Sequence, residues 1–207
     1  MSGRIITARH GRPNLSRDLK ISSREYGAWW SQYDAAGLHP DEAPPPELVE
    51  IAARAKTVIS SSLQRAVETA RHVTKGERAV PADSIFVEAP LPPPPVPDFL
   101  KLRPGQWGVV SRALWILGYA PEGVETNRAA WERVDAIAGK LAEFSKSGDV
   151  LLCAHGWLNW MIDRRLRKSG WRRTGRDRGN DYWSWRVYER SAATVPASER
   201  AAAAAAE

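Results

Sequence analysis

Arg9, His10 and Gly11 close the first apolar run, Arg4-Ile5-Ile6-Thr7-Ala8, and His155-Gly156 close a later one, Val150-Leu151-Leu152-Cys153-Ala154. An imidazole is a nucleophile or a proton carrier at neutral pH, and the arginine beside it is a permanent cation. Both runs read as buried strands, and Gly11 permits a tight turn after the first. A third run, Thr57-Val58-Ile59-Ser60, is rich in β-branched residues and leads to Arg65. Ser61 or Ser62 can cap a helix whose first turn carries Arg65, and the free N–H groups of that turn add to the attraction for an anion. Ser84-Ile85-Phe86-Val87-Glu88 reads as another strand, ending in a carboxylate. His10, Arg65, Glu88 and His155 thus each follow a strand candidate.

The segments between these positions alternate with them as helices. Ser22 and Glu25 form a capping-box pattern, with Ile21 and Tyr26 placed as a hydrophobic staple, so a helix is predicted from Ser23 to Ala36. Its aromatic face, Tyr26, Trp29, Trp30 and Tyr33, reads as packing. Further helices are predicted over Glu47 to Lys56, Gly105 to Leu117 (with Val110, Leu114 and Leu117 on one face), Thr126 to Ser145 and Trp157 to Arg167. Asn180 to Tyr188 reads as a last strand. Strands alternating with helices predict an α/β fold, a three-layer α/β/α sandwich on a mostly parallel sheet. Ligands of such sheets bind beyond the strand C-termini, where all four residues would converge. The expected organisation is one domain over residues 1–190, with a proline-rich insertion near 90–104. An alanine-rich tail over 191–207 would follow it.

The composition narrows the function classes. The chain has 207 residues, 43% apolar and 26% charged, and no apolar stretch approaches the roughly 20 residues that span a bilayer. One cysteine, Cys153, allows no intrachain disulfide or zinc-finger framework, and it reads as strand packing. Read as it stands, the N-terminus has no signal-peptide segment, and a cytoplasmic location is the expectation. No metal-ligand spacing is visible, so no metal or cofactor is expected. A net charge of +6 favours anionic ligands. Much of it lies between Arg164 and Arg178, read as a helix end and loop; no recognised nucleic-acid motif accompanies it, so nucleic acid is not the expected partner.

Taken in order, these motifs resemble the histidine phosphatase superfamily, of phosphoglycerate-mutase-like fold. Arg9-His10-Gly11 matches the opening Arg-His-Gly. Ser61, Leu63, Arg65, Ala66, Thr69 and Ala70 match Ser-x-Leu-x-Arg-Ala-x-x-Thr-Ala, and His155-Gly156 matches the late His-Gly. The likeness runs from about Arg4 to Tyr188. It implies that His10 is the nucleophile that takes the phosphoryl group and that Arg9, Arg65 and His155 hold the phosphate, with Gly11 in the same binding turn. Glu88 would protonate the leaving group, kept neutral by a dry, proline-walled pocket.

The likeness has two gaps. Arg12-Pro13 stand where Glu-Ser or Glu-Thr is usual, and Asn14 comes early, so Asn14 or Ser16 would be the loop's phosphate contact. The usual Gly-x-Trp-Glu-Gly segment after the acid is absent, which leaves Asp98 as an alternative acid. The expected activity is metal-independent hydrolysis of a small phosphomonoester through phosphohistidine. The alternatives are a phosphomutase and a non-catalytic phosphate-binding module. The pocket walls are expected from Arg12 to Ser16, the proline run and Trp107.

Overall fold

A computed structural model of the protein describes residues 3–191, apart from the side chains of Arg176 and Asp177; the rest of the alanine-rich tail lies outside the described residues. Six strands form one mixed sheet in the order β3-β2-β4-β1-β6-β5. At its centre β4 (Val150–Ala154) pairs in parallel with β1 (Ile5–Arg9) and with β2 (Thr57–Ser61). Every residue of β4 is buried, which is why it reads as an unbroken apolar run. Val150, Leu152 and Ala154 pack with α5 (Asn127–Ser145) and α6 (Gly156–Lys168). Leu151 and Cys153 pack with α2 (Pro46–Arg54) and α3 (Gln64–Val73). Helices therefore cover both faces, and burial pushes the Cys153 thiol up to about 12, as befits a packing residue.

A third cluster sits over one end of the sheet. Tyr26, Trp29 and Tyr33 of α1 (Ser23–Ala35) pack on Trp107 of α4 (Pro104–Ile116). The capping box opens α1 as predicted, the Ser22 hydroxyl accepting from Glu25 N–H and Glu25 accepting from Ser22 N–H. The proline run ties these helices together: Ser23 and Ser111 donate hydroxyl hydrogen bonds to the carbonyls of Pro94 and Pro92. Prolines lack an N–H but keep an acceptor, so the run serves as a strap of carbonyls.

Four expectations need correction. Ser84 to Glu88 is not a strand: β3 is only Ala82–Asp83, and Ser84–Phe86 is a 3-10 turn started by the Asp83 carboxylate, which accepts from Ile85 N–H. Phe86 is buried against the α5 and α6 layer without sheet pairing, so its apolar neighbours imitate a strand. The basic stretch is not a helix end and loop throughout, because Trp171–Asp177 forms β5, antiparallel to β6 (Trp185–Arg190) at the edge of the sheet. Exposed Arg172 and Arg173 there discourage edge-to-edge pairing.

The buried face of α4 is Trp107, Ser111 and Trp115 rather than Val110, Leu114 and Leu117, and Leu117 is 83% exposed. The helix is apolar around most of its circumference, so periodicity could not choose the side. Finally, neither Ser61 nor Ser62 caps α3, whose N-cap is Leu63 with no side-chain bond.

Candidate active site

The register of β1 on β4 pairs Arg9 with Ala154, so the two strand–His–Gly units end level. His10 N–H donates to Ala154 O at 3.0 Å, and the two imidazole centroids lie 5.2 Å apart. Both rings are buried, His10 at 3% exposure and His155 at 0%. His10 Nδ1 lies 2.7 Å from Gly11 O. A carbonyl can only accept, so Nδ1 carries the proton and Nε2 is left with its lone pair.

Arg65 approaches from the first turn of α3 and is 1% exposed. Its Nη1 donates to Tyr33 O at 2.9 Å and its Nη2 to Asp34 Oδ1 at 3.0 Å, with the Tyr33 ring 4.6 Å from the guanidinium carbon. Arg9 stacks on Tyr182 and donates through Nη1 to Asn180 O. Gly156 makes room for it, since a Cβ there would lie 3.2 Å from Arg9 Nε. Three buried nitrogens on these residues, Arg9 Nε, Arg65 Nε and His155 Nδ1, have no hydrogen-bond partner among the described residues. Buried polar groups are rarely left so, and a tetrahedral anion beside His10 would serve them.

Glu88 lines the same cavity and is the only carboxyl among its described lining residues. Its Oε1 accepts from Ala89 N–H (3.0 Å) and Leu158 N–H (2.8 Å), and its Oε2 from Trp157 N–H (3.0 Å). The carboxyl therefore caps the N-terminus of α6, where unpaired N–H groups and the helix dipole favour an acceptor. The proline run does not form the wall expected of it. Of residues 90–97 only Leu91 lines the cavity.

Burial, then the charges of Arg65 and Arg9, hold the His10 pKa well below the ordinary histidine value. Burial leads again at His155, followed by Arg65, with the same direction. The unfolded chain therefore takes up protons below about pH 6.5 that the folded chain refuses. Stability is full above that pH and falls as pH drops, by up to about 1.4 kcal/mol per pH unit for each histidine. Urea midpoints measured from pH 7.5 to 5.5 should fall accordingly, and a flat profile would contradict this electrostatic account.

Other expected contacts are not brought to the cavity. Gly11 N–H donates to Thr69 Oγ1 at 3.0 Å, and its carbonyl holds His10. A Cβ on Gly11 would fall 2.4 Å from the Trp183 indole, so this glycine allows a close approach rather than a phosphate contact. Asn14 is exposed, its N–H paired to Gly37 O, and Ser16 is exposed in the same loop. Asp98 is exposed and ion-paired to Arg24 at 3.0 Å. Trp107 is fully buried and does not line this cavity.

The structure supplies residues that sequence reasoning missed. Arg17 lines the cavity, donates to Tyr182 OH at 2.9 Å, and adds its charge to the field at His10. Asp34 orients Arg65, and Ser61 Oγ lies 2.8 Å from His155 Nε2. Only Ser61 stood in a recognisable motif. Arg17 and Asp34 carry no local signal that marks a distant partner.

No family model and no curated protein matches the sequence. Solved structures do. A mycobacterial glucosyl-3-phosphoglycerate phosphatase is 20% identical, with 90% of each chain covered and a TM-score of 0.55. A protein solved as mycobacterial hydrolase 1 is 21% identical over 90% of this chain and 88% of its own, with a TM-score of 0.57. The YhfR protein of Bacillus stearothermophilus is 16% identical over 81% of each chain, with a TM-score of 0.52. The chain has the phosphoglycerate-mutase-like fold of these structures. In this phosphoglycerate-mutase-like fold the described residues contain no helix long and apolar enough to cross a membrane.

Proposed function

We propose that the protein is a phosphatase that hydrolyses a small phosphomonoester through a phosphohistidine on His10. The observation that carries this reading is the three unpartnered buried nitrogens beside a histidine whose Nε2 keeps its lone pair. A phosphoryl group spreads its charge over its oxygens, so catalysis is mostly positioning and charge stabilisation. Arg9 Nε, Arg65 Nε and His155 Nδ1 take the non-bridging oxygens. With Ser61 donating to His155 Nε2, the proton sits on Nδ1, where the anion needs it. The depressed His10 pKa keeps the nucleophile neutral. The single cysteine, buried and free, supports a cytoplasmic place of action.

His10 Nε2 attacks phosphorus, the N–P bond forms, and the ester P–O bond breaks. The leaving oxygen takes a proton from Glu88 Oε2, which a monoanionic ester has delivered from its own P–OH. Water then attacks the phosphohistidine and gives its proton to Glu88, the N–P bond breaks, and phosphate leaves with that proton. No metal or cofactor takes part in this path.

The test is phosphate release, with chelator present, from benzyl phosphate and from 4-nitrophenyl phosphate. Native protein is expected to hydrolyse both. Glu88→Gln should lose about 10²-fold or more on the benzyl ester, whose alkoxide needs a proton, and less than about tenfold on the nitrophenyl ester, whose leaving group does not. Equal losses on the two would remove Glu88 from proton transfer. No release of phosphate from any ester would favour a binding module instead.

A further inference from the structure

The cavity that holds His10 is much larger than a phosphate group, at about 670 Å³. Arg9, Arg65 and Glu88 line it together with His10, and one face of α4 adds a long wall. Gly105, Gly108, Val109, Ala113 and Ile116 recur along that face at helical spacing. From Pro104 to Ile116 the helix runs about 18 Å, several times the width of a phosphate. Trp157 and Trp160 of α6, tilted at 31° with ring centroids 4.5 Å apart, line the same cavity, as does Leu91.

Two observations say what this arm accepts. Val109 and Ile116 remain 71% and 50% exposed on it, so apolar surface is left facing the cavity with nothing among the described residues to cover it. The one cation on the α4 wall, Arg112, is drawn toward the chain: Nη1 donates to Pro90 O at 3.1 Å and Nη2 to Ala89 O at 3.0 Å, and its guanidinium lies over the rings of Trp115 and Trp157. A phosphoester carrying a second carboxylate or several hydroxyls would meet few partners along Val109, Ala113 and Ile116. A flat or flexible hydrocarbon would bury those surfaces and the indoles.

We infer that the preferred substrate is a phosphomonoester of a bulky apolar alcohol, aromatic or hydrocarbon, whose organic part lies along α4 between Val109, Ile116 and the Trp157–Trp160 pair. This rests on the phosphatase reading above and names the substrate class of the same site. Phosphate binding places the ester oxygen beside His10, and the apolar side of the cavity along α4 gives the alcohol room to extend, away from Arg17 and Asn180, which also line it. The groove is open, so chains of different length fit, with selection coming from apolar area rather than a closed shape. A fully buried methylene is worth about fourfold in kcat/KM, so a substantial organic group discriminates strongly.

The test compares kcat/KM for 2-naphthylmethyl, octyl and glycerol phosphates. All three are alkyl esters with leaving alcohols of comparable basicity, so chemistry does not set the order. The naphthylmethyl and octyl esters are expected to exceed glycerol phosphate by about 30-fold or more. Ile116→Asn, at a half-exposed position that does not hold the fold, should cut the naphthylmethyl-to-glycerol ratio at least about fivefold. A native ratio near one, a preference for glycerol phosphate, or a ratio unmoved by Ile116→Asn and by Val109→Ser would overturn the assignment while leaving the phosphatase reading standing. Failure to hydrolyse any of the three, or the esters of the earlier test, would sink both together.

Discussion

His10→Ala is expected to abolish turnover, with a loss of about 10⁴-fold or more, since removal of a covalent nucleophile takes away the reaction path itself. The geometry makes the effect specific. His10 Nδ1 is bonded to Gly11 O, so the ring presents Nε2 in a fixed direction, and neighbouring His155 is held by Ser61. His155 cannot take over, because its Nε2 is held by Ser61 Oγ at 2.8 Å and its Nδ1 carries the proton that faces the anion, so it offers no lone pair to phosphorus. The substitution leaves Arg9 and Arg65 in place. Phosphate or vanadate should therefore still raise the thermal midpoint of the variant, whereas phosphate release disappears. In native protein, rapid alkaline quench after mixing with radiolabelled ester should trap label on the chain, and in His10→Ala it should not. Turnover within about tenfold of native would exclude the phosphohistidine path, and loss of phosphate binding would make His10 an anion contact instead of a nucleophile.

The positions of the chemistry were more legible than the elements that carry them. Arg9-His10 and His155 could be placed because each ends a run buried on both faces, and parallel pairing in register then sets them side by side. Arg65 was placed because a helix start after a strand points back to the same sheet edge. Glu88 reaches the cavity too, although the strand expected to deliver it is a 3-10 turn. What could not be read was long-range partnership. Asp34 meets Arg65 across 31 positions and Arg17 meets Tyr182 across 165, and neither pair leaves a periodic trace. The walls were misjudged for a related reason. α4 is apolar nearly all round, since one side faces the Trp107 core and another faces the cavity, and a single sequence does not separate a core face from a ligand face. The loop residue Asn14 was set by motif spacing alone, and Pro13, bridged to Leu38, turns the chain away before Asn14 can face His10.

Arg65→Ala should lower kcat/KM by about 10³-fold and, at the same time, move its acidic limb to higher pH. Three attachments fix the guanidinium: Tyr33 O, Asp34 Oδ1 and the face of the Tyr33 ring. They leave Nε as the donor for phosphate, so the loss is of a preorganised contact. Asp34 is 36% exposed on its side chain, and solvent softens the loss of its partner; the stability cost is about 2–3 kcal/mol, which leaves a folded protein to measure. The pH effect follows from sign. After burial, Arg65 is the first of the influences that depress His10, and also the first of the charges acting on His155. Its removal lets both pKa values rise. Attack requires neutral His10, so the free-enzyme kcat/KM profile must lose activity at a higher pH than in the native protein. Arg65→Lys restores the charge without the fork. It should return the acidic limb most of the way while the rate at the optimum stays at least about tenfold low. An acidic limb that stays put in Arg65→Ala would mean that burial alone governs His10, and that Arg65 serves to position phosphate without tuning the nucleophile.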